Sequence, residues 1–378
     1  MQVGAKNLIL LNGLESELIQ ILIPDERINS SFSDRSSGIG LRLLKIAIWN
    51  SYTTYYSILF QHEIFGHGAR ARELGYKDVS YRILLPYPFG RGGGYTYFDW
   101  GAGSSLDDRF LSNTLGGTEA TGVLADQIRL GWLRTGKIES YQAQLYLFAR
   151  TDLMRYILST NEEETDMSND IQSYRIAYNS MRVSDSIEHG PLRIEAMKKR
   201  SLLILSDPFI WFSCWGLASY VWTGDRKFQY PIFRVGRVNF IPAVGYELTP
   251  FGPEFQLEAL FGICDKVILV KYRQGESPFS DILGTDIEGV NLVSYRGAEL
   301  DMGLFFWFQP TLLQHTGEEP DRIKRFGSGE SLTITSPPLE ACLPVRFSLG
   351  VFRKAGGYLA GEILDAGITW RGGIGVSM

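Results

Sequence analysis

The chain has 378 residues, 44% of them apolar and 21% charged, enough apolar material for a large core and too much for wholesale disorder. At roughly 150 residues per domain, this length suggests two domains, or three. A net charge of −5 without a polybasic block excludes a dedicated nucleic-acid binder. A mean hydropathy of −0.05 is too low for a polytopic helical membrane protein, but it leaves room for a β-barrel, whose inner face is polar.

The first residues make a poor signal peptide: the apolar run 8–11 is short, and Glu15 and Glu17 follow with no small-residue cleavage site. Apolar periodicity then predicts one long helix over 41–72, a second over 118–133, a third over 140–158 and a shorter fourth over 170–181. Between the first two, stretches 81–85 and 95–100 read as strands around a Pro/Gly turn. Arg91-Gly92-Gly93-Gly94 lacks the phosphate-loop ending and reads as the hairpin tip. The acidic run 161–170 reads as a solvated loop. Pro208 suits a first helical turn capped by Ser206 or Asp207. Two uncharged stretches, 46–61 and 208–224, fall short of the roughly 20 residues that a spanning helix needs. The three tryptophans of the second, Trp211, Trp215 and Trp222, point to a membrane interface.

The chain changes character near Asp225, which divides it into a mainly helical region, 1–225, and a β region, 226–378. After Tyr230 the apolar period is two. Leu343, Val345, Phe347, Leu349 and Val351 alternate with small or polar residues, as do Leu300, Met302, Leu304, Phe306 and Phe308. About eight antiparallel strands, many near ten residues, predict a barrel or barrel-like sheet, so the fold class is α+β. Such lengths suit a membrane-spanning barrel with lipid outside, located in an outer membrane. The competing arrangement is a soluble sheet with its greasy face inward. The C-terminal Gly-Val-Ser-Met lacks the terminal aromatic common in outer-membrane barrels.

Of the four histidines, His62 and His67 flank Glu63 at the end of an apolar stretch, in the run Gln61-His62-Glu63-Ile64-Phe65-Gly66-His67-Gly68. A zinc hydrolase needs imidazoles to hold the ion and a carboxylate to take a proton from bound water, which the zincin pattern H-E-x-x-H supplies. Here there is one residue more. On a regular helix, residues five apart differ by about 140°, which would splay the two rings. A single π-bulge would return them to one face, or the helix would end at Gly66.

The run from His62 to Tyr76, with its Gly-His step, Ala69-Arg70 and Leu74-Gly75, resembles the zincin-type intramembrane metalloproteases of the site-two kind. It carries the one-residue insertion, and no later Asp-Gly segment matches the one that supplies that family's third ligand. The resemblance implies zinc-peptidase chemistry. Gluzincin peptidases take a third ligand from a second helix and orient a histidine with a nearby aspartate. By that likeness Glu119 would be the ligand and Asp126 the orienting acid, seven residues apart on one helix face. The competing view makes Glu119 an acid favoured by a helix N-terminus and Asp126 a solvated residue. His189 and His315 stand alone in polar loops.

Taken together, the sequence predicts a membrane-associated zinc peptidase. His62, His67 and Glu119 would hold the metal and Glu63 would be the general base, with a protein or peptide substrate and lipid as partners. Tyr95, Tyr97 and Arg91 are candidates to stabilise the oxyanion. Two alternatives remain: a non-catalytic outer-membrane-type barrel with a helical plug or partner-binding domain, and a non-haem iron enzyme using the same two histidines and a carboxylate.

Overall fold

In the computed structural model, the described residues are 1–22, 32–86, 88–99, 107–163, 169–181, 190–231, 233–236, 238–263, 266–276, 280, 282–310, 312, 324–339 and 345–376. His189 and His315 lie outside them.

Helix α1 (Gln2–Leu22) is followed by one long rod, made of α2 (Phe32–Leu44), a π-helix π1 (Lys45–Asn50), α3 (Ser51–Leu59), a second π-helix π2 (Phe60–His67) and α4 (Gly68–Glu73). A hairpin of β1 (Lys77–Ile83) and β2 (Gly94–Asp99) lies against π2. Helix α5 (Asp108–Thr135) is longer than its periodicity predicts. Asp107 accepts a hydrogen bond from the Phe110 amide at 2.8 Å and starts it, and Gly136, at φ 69°, ends it. Next come β3 (Ile138–Glu139), α6 (Ser140–Ser159), α7 (Asp170–Met181) and α8 (Ile194–Ser201). A 3₁₀ turn (Leu202–Ser206) leads into α9 (Pro208–Thr223), where Asp207 caps as expected, accepting from Phe209 at 2.9 Å. These helices bury one apolar core, in which Trp132, Tyr146, Tyr174 and Phe209 are inaccessible to solvent.

Strand β4 (Lys227–Phe228) pairs back with β3. The rest form one antiparallel meander: β5 (Phe233–Val235), β6 (Val238–Thr249), β7 (Gly252–Ile263), β8 (Lys266–Gly275), β9 (Leu283–Tyr295), β10 (Ala298–Pro310), β11 (Lys324–Thr335), β12 (Val345–Lys354) and β13 (Gly367–Val376). Eight of the nine strands have ten residues or more.

The sheet departs from the expected barrel by not closing. Strands β13 and β5 are its two edges, and helices occupy the gap: α1 lies along β13, while α8, the 3₁₀ turn and α9 pack on β6. The sheet curls around α5, which packs against β6, β8 and β9. Its polarity is the inverse of a soluble sheet. Leu304, Phe306 and Phe308 of β10 are exposed on the convex face, whereas the concave face buries Glu254, Glu258, Lys271, Arg273 and Asp286. Four of them are paired, Glu258 with Arg129, Lys271 with Asp126 at 3.2 Å, and Arg273 with Asp286 at 2.9 Å, while Glu254 accepts from Gln256 Nε2 at 3.0 Å. Between α1, α5 and the concave face lies a chamber of about 650 Å³ whose lining includes Lys6, Asp126, Glu247, Lys271 and Glu288.

Among the described residues, no single helix is long and apolar enough to cross a membrane. One pair bent by 60°, Ile194–Ser206 with Pro208–Thr223, has the length and composition to do so.

Candidate metal centre

The extra residue between the histidines is absorbed by π2. The wider turn brings the rings onto one side, with His62 Nε2 and His67 Nε2 3.2 Å apart. Both rings are buried. Their other nitrogens face groups that accept only: His62 Nδ1 donates to Asp152 Oδ2 (3.1 Å) and His67 Nδ1 donates to the Asn113 carbonyl (2.8 Å). These bonds fix the ring orientations and turn both Nε2 atoms toward one point. Asp152 is itself held by Thr121 Oγ1 at 2.9 Å.

The third member is Asp170, at the start of α7. Its Oδ2 lies 3.2 Å from His62 Nε2 and 3.1 Å from His67 Nε2, completing a nearly equilateral triangle. Ligand atoms about 2.0 Å from a tetrahedral ion stand about 3.3 Å apart, so one ion fits all three atoms with no rearrangement of the chain. Asp170 is the exposed member, at 24%, and so marks the side from which solvent reaches the cluster. Desolvation opposes its ionisation, but His67 and His62 outweigh that and hold its carboxyl well below the usual carboxylate range. It is anionic at neutral pH, as a ligand must be.

Two helices must approach closely to build this site, and glycine allows it. A Cβ on Gly66 would meet the Gly116 carbonyl oxygen at 2.5 Å, and a Cβ on Gly117 would overlap the His62 ring. The Gly116-Gly117 pair inside α5, unfavourable by about 1 kcal/mol per glycine relative to alanine, is thereby explained. On the other side, Gly94 of β2 leaves room for the Glu63 side chain, where a Cβ would approach Cγ at 2.7 Å. Glu63 is buried, accepts from Thr96 Oγ1 at 2.7 Å, and is close enough to His67 to interact with it electrostatically. The ring of Tyr156 stacks on His62, with centroids 5.2 Å apart.

Of the residues expected from sequence, His62, Glu63 and His67 come together. Glu119 does not join them: it faces away from the histidines and forms a bidentate pair with buried Arg70, whose Nε donates to Oε2 at 3.1 Å. Asp126 does not orient a histidine either. Two helical turns past Glu119, it faces the chamber and pairs with Arg129 (2.9 Å) and Lys271 (3.2 Å). The roles expected of those two acids fall geometrically to Asp170 and Asp152. Tyr95 and Tyr97 stack on each other on the hairpin face opposite Thr96, and Arg91 lies in the exposed tip, so none of the three turns toward Glu63.

Comparison with protein-family models, curated proteins and solved structures finds no match for this chain.

Proposed function

We propose that the protein is a metal-dependent hydrolase, most simply a membrane-associated zinc peptidase. The observation that carries this reading is the triangle of His62 Nε2, His67 Nε2 and Asp170 Oδ2 with Glu63 adjoining a ligand in sequence. Three protein ligands leave a fourth position of a tetrahedral ion for water, the signature of a catalytic rather than a structural zinc. When bound, the ion supplies a water of lowered pKa and polarises the scissile carbonyl.

The chain's own residues would do the rest. Glu63, anchored by Thr96, takes the proton of the attacking water and passes it to the leaving amine. Asp152 and the Asn113 carbonyl hold both imidazoles by Nδ1–H and keep the rings turned so that each Nε2 faces the site. Tyr156, stacked on His62, holds that ring in place from its open face.

The test is Glu63→Gln in the full chain, loaded with zinc. Metal content should remain at wild-type stoichiometry, while cleavage of an unfolded protein substrate should fall by about 10²- to 10⁴-fold. Equal activity in both forms would refute the assignment.

The same two histidines and one aspartate also match the facial triad that holds ferrous iron in non-haem oxygenases. A buried glutamate next to a ligand favours hydrolysis, because an oxygenase has no need of that base. In the non-catalytic alternative, a helical plug in an outer-membrane-type sheet, a structural metal would call for a closed set of four protein ligands. Among the described residues the cluster has three.

A further inference from the structure

We infer that the convex face of the sheet, together with the outer faces of α2, π1 and α9, forms one apolar girdle embedded in a lipid bilayer, and that the metal centre stands at one rim of it. The first observation is the inverted polarity. One exposed apolar side chain from each of six of the seven consecutive strands β7 to β13 marks the convex face: Leu257, Ile287, Leu304, Leu332, Leu349 and Trp370. The concave face carries the buried ion pairs. In water this arrangement forfeits the hydrophobic stabilisation of those side chains, whereas against lipid an apolar outer face over a polar inner one is the favourable arrangement.

The second observation is length. Strands β6 to β13 run 10–13 residues, and a strand tilted in a bilayer needs about 9–11 to cross the hydrocarbon layer. Glu330 and Arg353 pair with each other on this outward face, Arg353 near the end of β12 and Glu330 midway along β11, so each of these exposed charges has a partner of opposite sign.

The third observation is that the apolar surface continues across the gap in the sheet. Helix α9 presents Trp211, Trp215 and Trp222, more than half exposed, and π1 adds Ile48 and Trp49. Helices α2 and α9 pack together, joined by Arg42 Nε donating to the Val221 carbonyl at 2.9 Å. Helices therefore stand in the wall where strands would close a barrel, and α1 lies along β13, covering the edge that lipid cannot satisfy.

The rim follows from the connections. Tyr174 of α7 donates to the Thr249 carbonyl at the β6–β7 turn (2.9 Å). Arg70 donates to the Glu362 carbonyl in the β12–β13 loop (2.6 Å), and Glu73 accepts from the Leu364 amide there. Those turns share one end of the meander. The far end of α5 reaches the opposite rim, where Arg134 pairs with Asp301 beside the β9–β10 turn. If the hydrolase reading holds, the substrate is a polypeptide at the bilayer surface rather than one within its core; the girdle does not depend on that reading.

The experiment uses the full chain and vesicles of phosphatidylcholine and phosphatidylglycerol, with and without brominated acyl chains. The protein should float with the vesicles after a carbonate wash. Bromolipid should quench its tryptophan emission by at least about twofold, and Trp370→Phe should shrink the quenched fraction while leaving flotation intact. The double variant Leu304→Asp, Leu349→Asp should float several-fold less. A wild-type chain that stays monodisperse in detergent-free buffer and is not quenched overturns the inference. So does a lipid-free oligomer that covers this face with a second copy. Metal-dependent cleavage measured in detergent micelles is a separate readout, so failure of the girdle and failure of the hydrolase reading are distinguishable.

Discussion

His62 is set by three neighbours, Asp152 beneath it, Gly117 beside it and Tyr156 stacked on it, and each makes a distinct demand on mutation. Asp152→Asn keeps the shape but weakens the hold on Nδ1–H, so zinc affinity should fall by about 10- to 100-fold, measured by competition with a chromophoric chelator. Glu119→Ala should act quite differently. It leaves Arg70 without its bidentate partner in a buried setting, and the folded state should lose about 3–5 kcal/mol in denaturant titration with zinc stoichiometry retained. A loss of metal without a loss of stability would reverse the two assignments. The contrast also shows where the sequence was readable. Two of only four histidines flanking a glutamate stand out against any background. Asp170 does not, since it closes an acidic run and opens a helix, where a solvated acid is equally expected. Asp152 left a fainter trace, as a carboxylate within an otherwise apolar helix face.

At the scale of elements, the crossing of π2 over α5 decides the site. The H-E-x-x-x-H spacing already required either a π-bulge or a helix end, and the π-helix is what the chain adopts. The Gly116-Gly117 pair was visible as well, but beside Thr118 and Glu119 it drew attention to the wrong side of α5. Its use is proximity, not the neighbouring carboxylate. Gly117→Ala should therefore abolish stoichiometric zinc binding while far-ultraviolet dichroism retains the helical content, because the added methyl occupies the place of the His62 ring. The strands were legible from their period of two, and the lengths of α6 and α7 came out within a residue. Closure of the sheet was not legible. It depends on whether the two edge strands meet, and alternation within a strand says nothing of its partner. The long reach of α5 was also hidden, because between Asp108 and Gly117 the buried Phe110, Leu111 and Leu115 are diluted by polar residues and a glycine pair that reads as a helix break.

Across the whole molecule, one helix of 28 residues ties the metal centre to the curled sheet. Near its start, Asn113 steadies His67, and near its end, Arg134 reaches β10. Zinc that binds only the folded chain should raise its unfolding free energy by about 2.7 kcal/mol at a hundredfold excess over Kd, seen as a higher thermal midpoint that excess chelator reverses. An unchanged midpoint would mean that the three side chains hold no ion. Asp170 and His67 lie 103 residues apart in sequence, and this separation gives the ion a mechanical role beyond its chemistry. A coordinated cation would act as a clasp, fastening α7 to the long rod across that span. Unfastening it with a chelator should make the amides at the start of α7 trade their hydrogens for deuterium sooner, while those of π2 stay guarded by the rods stacked on either side.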